Sequence, residues 1–252
     1  FESANILINS VRKNKIRGCY IGIGLDGISN STYSGNYQGI QIASTGVGNI
    51  MIGDTSSVTG RNIISGHSYF GITISNSADS VYVAGNYIGV DITGSGALGN
   101  GSMGIYVGNT GKEVHIGTGN TNGGNVISGN NYGIGIEAGS RGGITISNNI
   151  IGLNASGTAK IPNNVGIRLF NNPSLGSPKY MHIGMPGWGN VISGNAYYGL
   201  LLENADSNTV VGNFIGTNKS GQKGLGNGSY GIYSNSGSDA NIIGGKQPGE
   251  RN

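Results

Sequence analysis

The chain has 252 residues, 51 of them glycine, with only 10% charged residues and a net charge of +3. No apolar run approaches the roughly 20 residues that a membrane helix needs, and the single Cys19 excludes an internal disulfide. The one basic cluster, Arg12, Lys13, Lys15 and Arg17, has no interleaved aromatics, so it reads as a solvated edge and not as a nucleic-acid patch.

Short apolar runs recur from the N-terminus onward. Gly-aliphatic-x-aliphatic signals begin at Gly39, Gly71, Gly104, Gly133, Gly166, Gly199 and Gly231, and Ile6-Leu7-Ile8 lies one step upstream. A second alternation follows each: Ile50-Met51-Ile52, Val81-Tyr82-Val83, Val114-His115-Ile116, Met181-His182-Ile183, Val210-Val211 and Ile242-Ile243. A third takes two forms. One is Tyr20-Ile21-Gly22, Tyr87-Ile88-Gly89, Ile150-Ile151-Gly152 or Phe214-Ile215-Gly216. The other is an Asn-aliphatic-Ile-Ser-Gly run led by Asn62, Asn125 and Asn190, and Asn252 would open another copy. Repetition this regular is read first, because each copy completes its neighbour's core.

Three short strands without a helix can wrap one coil. Stacking coils about 4.8 Å apart pairs each strand with its equivalent in the next. The expected fold is all-β: a parallel β-helix of seven to eight coils of about 32 residues, each with three short strands. It is a single β-helix over residues 1–252. The repeat units are 62–124, 125–189 and 190–251, with a divergent first unit at 1–61. Two coil classes alternate. One is tight after its second strand and has a long loop after its third (91–100, 154–164, 217–227). The other has its loop after the second strand (54–61, 118–124, 185–189, 245–251). Tight corners call for positive φ, where Gly and Asn are least strained, and stacked asparagines can bond along the axis. Cys19 takes the register place of Asn86, Asn149 and Asn213.

Asn125 to Asn130, Gly85 to Gly89 and Ala97 to Asn100 resemble the repeats of right-handed parallel β-helix proteins of the pectate-lyase-like superfold. More narrowly, they are similar to repeat regions of large secreted or surface-exposed microbial proteins. The resemblance covers residues 39–252 closely and 1–38 loosely. It implies the right-handed fold and an extracellular or cell-surface location. It implies no particular activity, since the superfold hosts lyases, hydrolases, epimerases, tailspikes and adhesins.

Polysaccharide-cleaving sites need clustered carboxylates or acidic Ca²⁺ ligands with a base. Asp26, Asp54, Asp79, Asp91, Asp206 and Asp239 are instead scattered, so no catalytic residue, metal ligand or cofactor site is assigned. Glu137 and Glu203 share a column two coils apart, with Phe170 between, and read as solvated. His115 and His182 read as exposed strand histidines, too far apart for one metal ion. The outward column of the first strand runs Gln41, Thr73, Tyr106, Gly135, Arg168, Leu201 and Tyr233. Gln41, Tyr106, Arg168 and Tyr233 could stack on and hydrogen-bond sugar rings, or simply reflect β-propensity. Phe70, Tyr132, Tyr198 and Tyr230 are expected to cover a corner.

The leading functional expectation is a non-catalytic extracellular structural β-helix: a stalk, an adhesin segment or a fibre subunit. A carbohydrate-binding module and a polysaccharide lyase or epimerase are the alternatives. With no Met start and no signal peptide, the chain reads as a processed product or an excised segment. The partners expected are a continuation of a longer β-helix or copies stacked end to end, and a polysaccharide, with no nucleic acid and no membrane.

Overall fold

The computed structural model describes residues 4–9, 12–30, 37–43, 48–76, 78–109, 113–137, 143–235 and 237–252. Strands of two to six residues form three parallel sheets, and no α-helix occurs among the described residues. In the first sheet Ala4–Ile8, Gln38–Ile42, Phe70–Ile74, Met103–Val107, Tyr132–Glu137, Val165–Phe170, Tyr198–Glu203 and Tyr230–Ser234 lie side by side in chain order. The second runs from Lys15–Ile16 to Ile242–Ile243, and the third from Tyr20–Ile21 to Phe214–Ile215. Each strand pairs with its equivalent in the next coil, and the coils average about 33 residues, which is the β-solenoid expected, with about seven turns. Among the described residues no helix is long and apolar enough to cross a membrane.

The register is the one the repeat dictates. Ile40 pairs with Ile72, Ile72 with Ile105, Ile105 with Ile134, Ile134 with Ile167 and Ile167 with Leu200. All are fully buried in one continuous core, together with Ile42, Ile74, Val107, Ile136, Leu169 and Leu202. Each such side chain contributes about 1.5–3 kcal/mol of apolar transfer.

The interior also carries polar ladders. Asn62, Asn86, Asn125, Asn149, Asn190, Asn213 and Asn252 form a chain of amides, each Nδ2 donating to the Oδ1 of the next at 2.8–3.0 Å. Cys19 heads the chain, its backbone N–H donating to Asn62 Oδ1 at 3.0 Å. A second ladder joins His67, Asn100, Asn130, Asn163, Asn195 and Asn227. A third, shorter one links Asn208 to Asn241. Buried amides are stable only when their bonds are made, and here each rung supplies its neighbour's partner.

The first-strand glycine follows from the second ladder. A Cβ on Gly71 would lie 2.9 Å from Asn100 Nδ2, and one on Gly104 would lie 3.0 Å from Asn130 Nδ2. The carbonyl oxygen of the next coil's glycine would lie nearer still, 2.6 Å for Gly71 and 2.8 Å for Gly104, so the glycine makes room for the neighbouring backbone and for the amide.

The two coil classes alternate as expected. The long loops after the third strand bend back as small hairpins, marked by the antiparallel bridges Ile23 to Asn30, Val90 to Ala97 and Leu153 to Lys160. They are more than passive closures. Val90 and Ile161 pack on the outer side chains Ile63, Tyr87 and Val126 of the third sheet, and Leu153 and Leu225 pack on Val191. The third sheet is thus covered on both faces over its central strands, while Tyr20 and Phe214 at its two ends stay exposed.

Candidate functional site

The outer face of the first sheet carries a row of aromatic and charged side chains. Its make-up follows from a local irregularity. Gly71 and Ile72 both face the interior, so the strand behaves as though it held a bulge. The residue before the glycine is thereby turned outward. Phe70, Tyr132, Tyr198 and Tyr230 begin their strands and stand on the sheet face, where a corner position had been expected. Period-two reading places them wrongly because it does not count the glycine as an extra inward residue.

The candidate residues Gln41, Tyr106, Arg168 and Tyr233 do share one outward column, through Thr73, Gly135 and Leu201. From Gln41 to Tyr233 the column spans six strand spacings, roughly 29 Å, so it is a row and not one pocket. Gln41 is half-buried. Beside it Thr73 is buried and donates its hydroxyl to Gln38 Oε1. Tyr106 stacks on Phe70, with ring centroids 5.0 Å apart and planes within 6°. Its hydroxyl donates to Glu137 Oε2. Burial first, and then the Glu137 bond and charge, push the Tyr106 phenol well above its ordinary pKa.

Arg168 donates from Nε to Glu203 Oε2. Its guanidinium lies 4.7 Å from the centre of the Phe170 ring and 5.2 Å from that of Tyr132. Gly135 leaves a dip into which Met103 and Phe170 lean. Glu137 and Glu203, expected to be solvated, are engaged by Tyr106 and Arg168, and Glu137 Oε1 also accepts from Asn172 Nδ2 at 2.9 Å. Periodicity does place Phe170 between them. It does not reveal that each acid sits one coil from a matching donor.

Tyr233 belongs to a cluster. Its ring stacks on Tyr198 at 5.3 Å and on Tyr230 at 5.4 Å, and Tyr198 stacks on Tyr230 at 6.0 Å. Tyr230 and Tyr197 are each 55% exposed, and Tyr233 is 38% exposed. This is the most open aromatic surface on the sheet. Of this cluster, the sequence offers Tyr233 as a binding candidate and Tyr198 and Tyr230 only as corner residues. The signal for the rest was the aromatic that precedes the first-strand glycine.

The carboxylates elsewhere serve the loops. Asp26 accepts from Ser29 Oγ and from the Ile28 and Ser29 amides, and the Ser29 hydroxyl above all holds its pKa below the ordinary value. Asp54 is held low by Ser56 in the same way. Burial works against ionisation of Asp91, but bonds from Thr93, Gly96 and Ser95 outweigh it. The Asp239 amide and Lys179, 3.0 Å away, keep Asp206 low. Among the described residues no three His, Cys, Asp or Glu side chains converge on a position that could hold a metal ion. No protein-family model, curated protein or solved structure matches the chain.

Proposed function

We propose that the chain is a non-catalytic structural rod, a segment of an extracellular stalk or adhesin, or a fibre subunit that continues along its axis into further β-helix or another copy. The observation that carries this reading is the ladder from Asn62 to Asn252, which bonds every coil to the next along one line. A ladder of buried amides resists bending and sliding, because any slip strands several donors at once. The likeness of its Asn-Val-Ile-Ser-Gly-Asn repeats to those of large secreted microbial proteins agrees with this reading. The test combines electron microscopy of the native material with incubation on a panel of uronans and Ca²⁺. Stiff rods or filaments without turnover are expected. Unsaturated product from any uronan would overturn the reading in favour of a lyase.

The tyrosine cluster supports a second reading, that the rod's first-sheet face also holds a glycan. Tyr197, Tyr230 and Tyr233 offer exposed ring faces, and Arg168 and Gln41 offer polar edges farther along the same face. Sugar rings lay their C–H faces on such aromatics. A glycan array probed with the wild type and a Tyr230→Ala/Tyr233→Ala variant tests it. Loss of a wild-type signal in the variant supports the reading, and an equal signal or none sinks it.

A further inference from the structure

The outward column of the second sheet holds a different feature. Met51, Tyr82, His115, Thr145, His182 and Thr209 follow one another in register. Tyr82 and His115, one coil apart, stack with ring centroids 4.7 Å apart and planes within 16°. At the next rung stands Thr145, a small residue, and beyond it is a second imidazole, His182. The ring positions at His115 and His182 are thus two strand spacings apart, roughly 9.6 Å. That is the separation that admits one further ring at the same stacking distance.

The walls of this rung follow from the alternation of coil classes. The coils carrying His115 and His182 have loops after the second strand, whereas the coil between them turns tightly through Ser147, Asn148 and Asn149. A notch is left between the loops. Gly117, Thr118 and Gly119 bound it on one side, and Gly184, Met185 and Pro186 bound it on the other. Its volume is about 430 Å³, within the range of small-molecule sites. The Thr145 hydroxyl lies at its floor, 2.7 Å from His115 Nδ1. Among the described residues, no aromatic side chain of the chain itself occupies this rung.

One tight coil earlier, the equivalent outward position is Tyr82. There the chain supplies its own phenol between Met51 and His115. We propose that the notch over Thr145 binds a small planar aromatic molecule of phenol type, which intercalates between His115 and His182 as Tyr82 does between its neighbours. The ring would complete the stack Tyr82, His115, ligand, His182. A ligand hydroxyl would meet the polar groups at the notch floor, and Met185 would close the open edge with a sulfur–ring contact.

The probe is p-cresol, the side chain of tyrosine as a free molecule, followed by saturation-transfer NMR on the intact chain. Cyclohexylmethanol, similar in size but not planar, is the control. Transfer to the p-cresol ring protons is expected, with little to the control. Thr145→Tyr fills the notch from within and should abolish the transfer. His182→Ala removes one wall and should weaken binding about fivefold, the worth of one ring pair. Trp188, the only tryptophan of the chain, packs at Gly119 on the notch wall, so its fluorescence gives a second readout. Absence of transfer to p-cresol, equal transfer to cyclohexylmethanol, or unchanged transfer in either variant would each overturn the proposal. Because His182→Ala changes only an exposed side chain, the test stands even if Thr145→Tyr fails to fold.

Discussion

His67 Nδ1 lies 2.8 Å from Asn100 Oδ1, so that an imidazole takes a rung that asparagine amides occupy in the coils beyond. Its other ring nitrogen lies 2.9 Å from Asn5 Oδ1. Because the ring is almost fully buried, desolvation disfavours the charged form. The bond to Asn100 offsets this only in part, and the folded-state pKa falls below the ordinary 6.5.

The sign of the pH effect follows. A histidine depressed in the folded state binds its proton more readily when unfolded. The contribution of His67 is complete above the unfolded pKa and is lost as pH falls below about 6.5 toward the lower folded value. Stability by urea unfolding should therefore drop between neutral pH and pH ~5. His115, also depressed, chiefly by burial, adds to the drop. The lowered carboxylates act only at more acidic pH. His67→Asn, which installs the residue of the neighbouring rungs, should flatten the slope. An unchanged slope would show that the buried ring is not its source.

Asn125 tests the ladder. It accepts from the Asn86 backbone and side chain, and it donates to Asn149 Oδ1 and Val83 O. Asn125→Ala strands these groups inside the core and should cost about 2–4 kcal/mol. Asn164→Ala, at an exposed pair with Asn131, should cost less than ~0.5 kcal/mol. Matched denaturant titrations of the two variants decide the point; equal midpoints would mean that the ladder adds nothing.

Gly104→Ala places a methyl group among Asn130 Nδ2, Gly133 O and Ile127 Cγ2. A loss of about 1–3 kcal/mol is expected, as for overpacking generally. Combining Gly104→Ala with Asn130→Ala removes one collision. The double variant should then lose less than the sum of the two single losses. Strict additivity would refute the link between this glycine and the ladder.

Arg168→Ala removes the ion pair with Glu203 and the contacts with Phe170 and Tyr132. Both charged side chains are about a quarter exposed, so the loss should be modest, about 1 kcal/mol. Arg168→Lys should not restore it, because an ammonium cannot spread over both rings and still reach the carboxylate. The check is the melting temperature at low and high salt. A loss that is the same at both would assign the effect to packing alone.

Ile40, Ile72 and Ile105 were legible as a column because an aliphatic at a fixed offset from a glycine has only one inward place in a stacked coil. Asn62, Asn125 and Asn190 were legible as the recurring heads of the third-strand run, because they return at a fixed step along the chain. Phe70 and Tyr230 were not, since their direction depends on whether the glycine counts as an inward residue, and only the ladder behind it decides that. Tyr106 and Glu137 are 31 residues apart, and Arg168 and Glu203 are 35 apart. Each pair is diagonal across coils, and a column by column reading does not look along diagonals. Val90 and Leu153 lie in loops, where apolar residues have no period to announce that they build a second core.

The alternation of coil classes also sets how a gene for such a chain can lengthen. Adding one coil would place two like coils side by side, with two loops at the same corner only about 4.8 Å apart. Folded-back loops of this kind need about twice that. Growth or shrinkage must therefore come in pairs of coils, and unequal recombination would leave viable products only in steps of two.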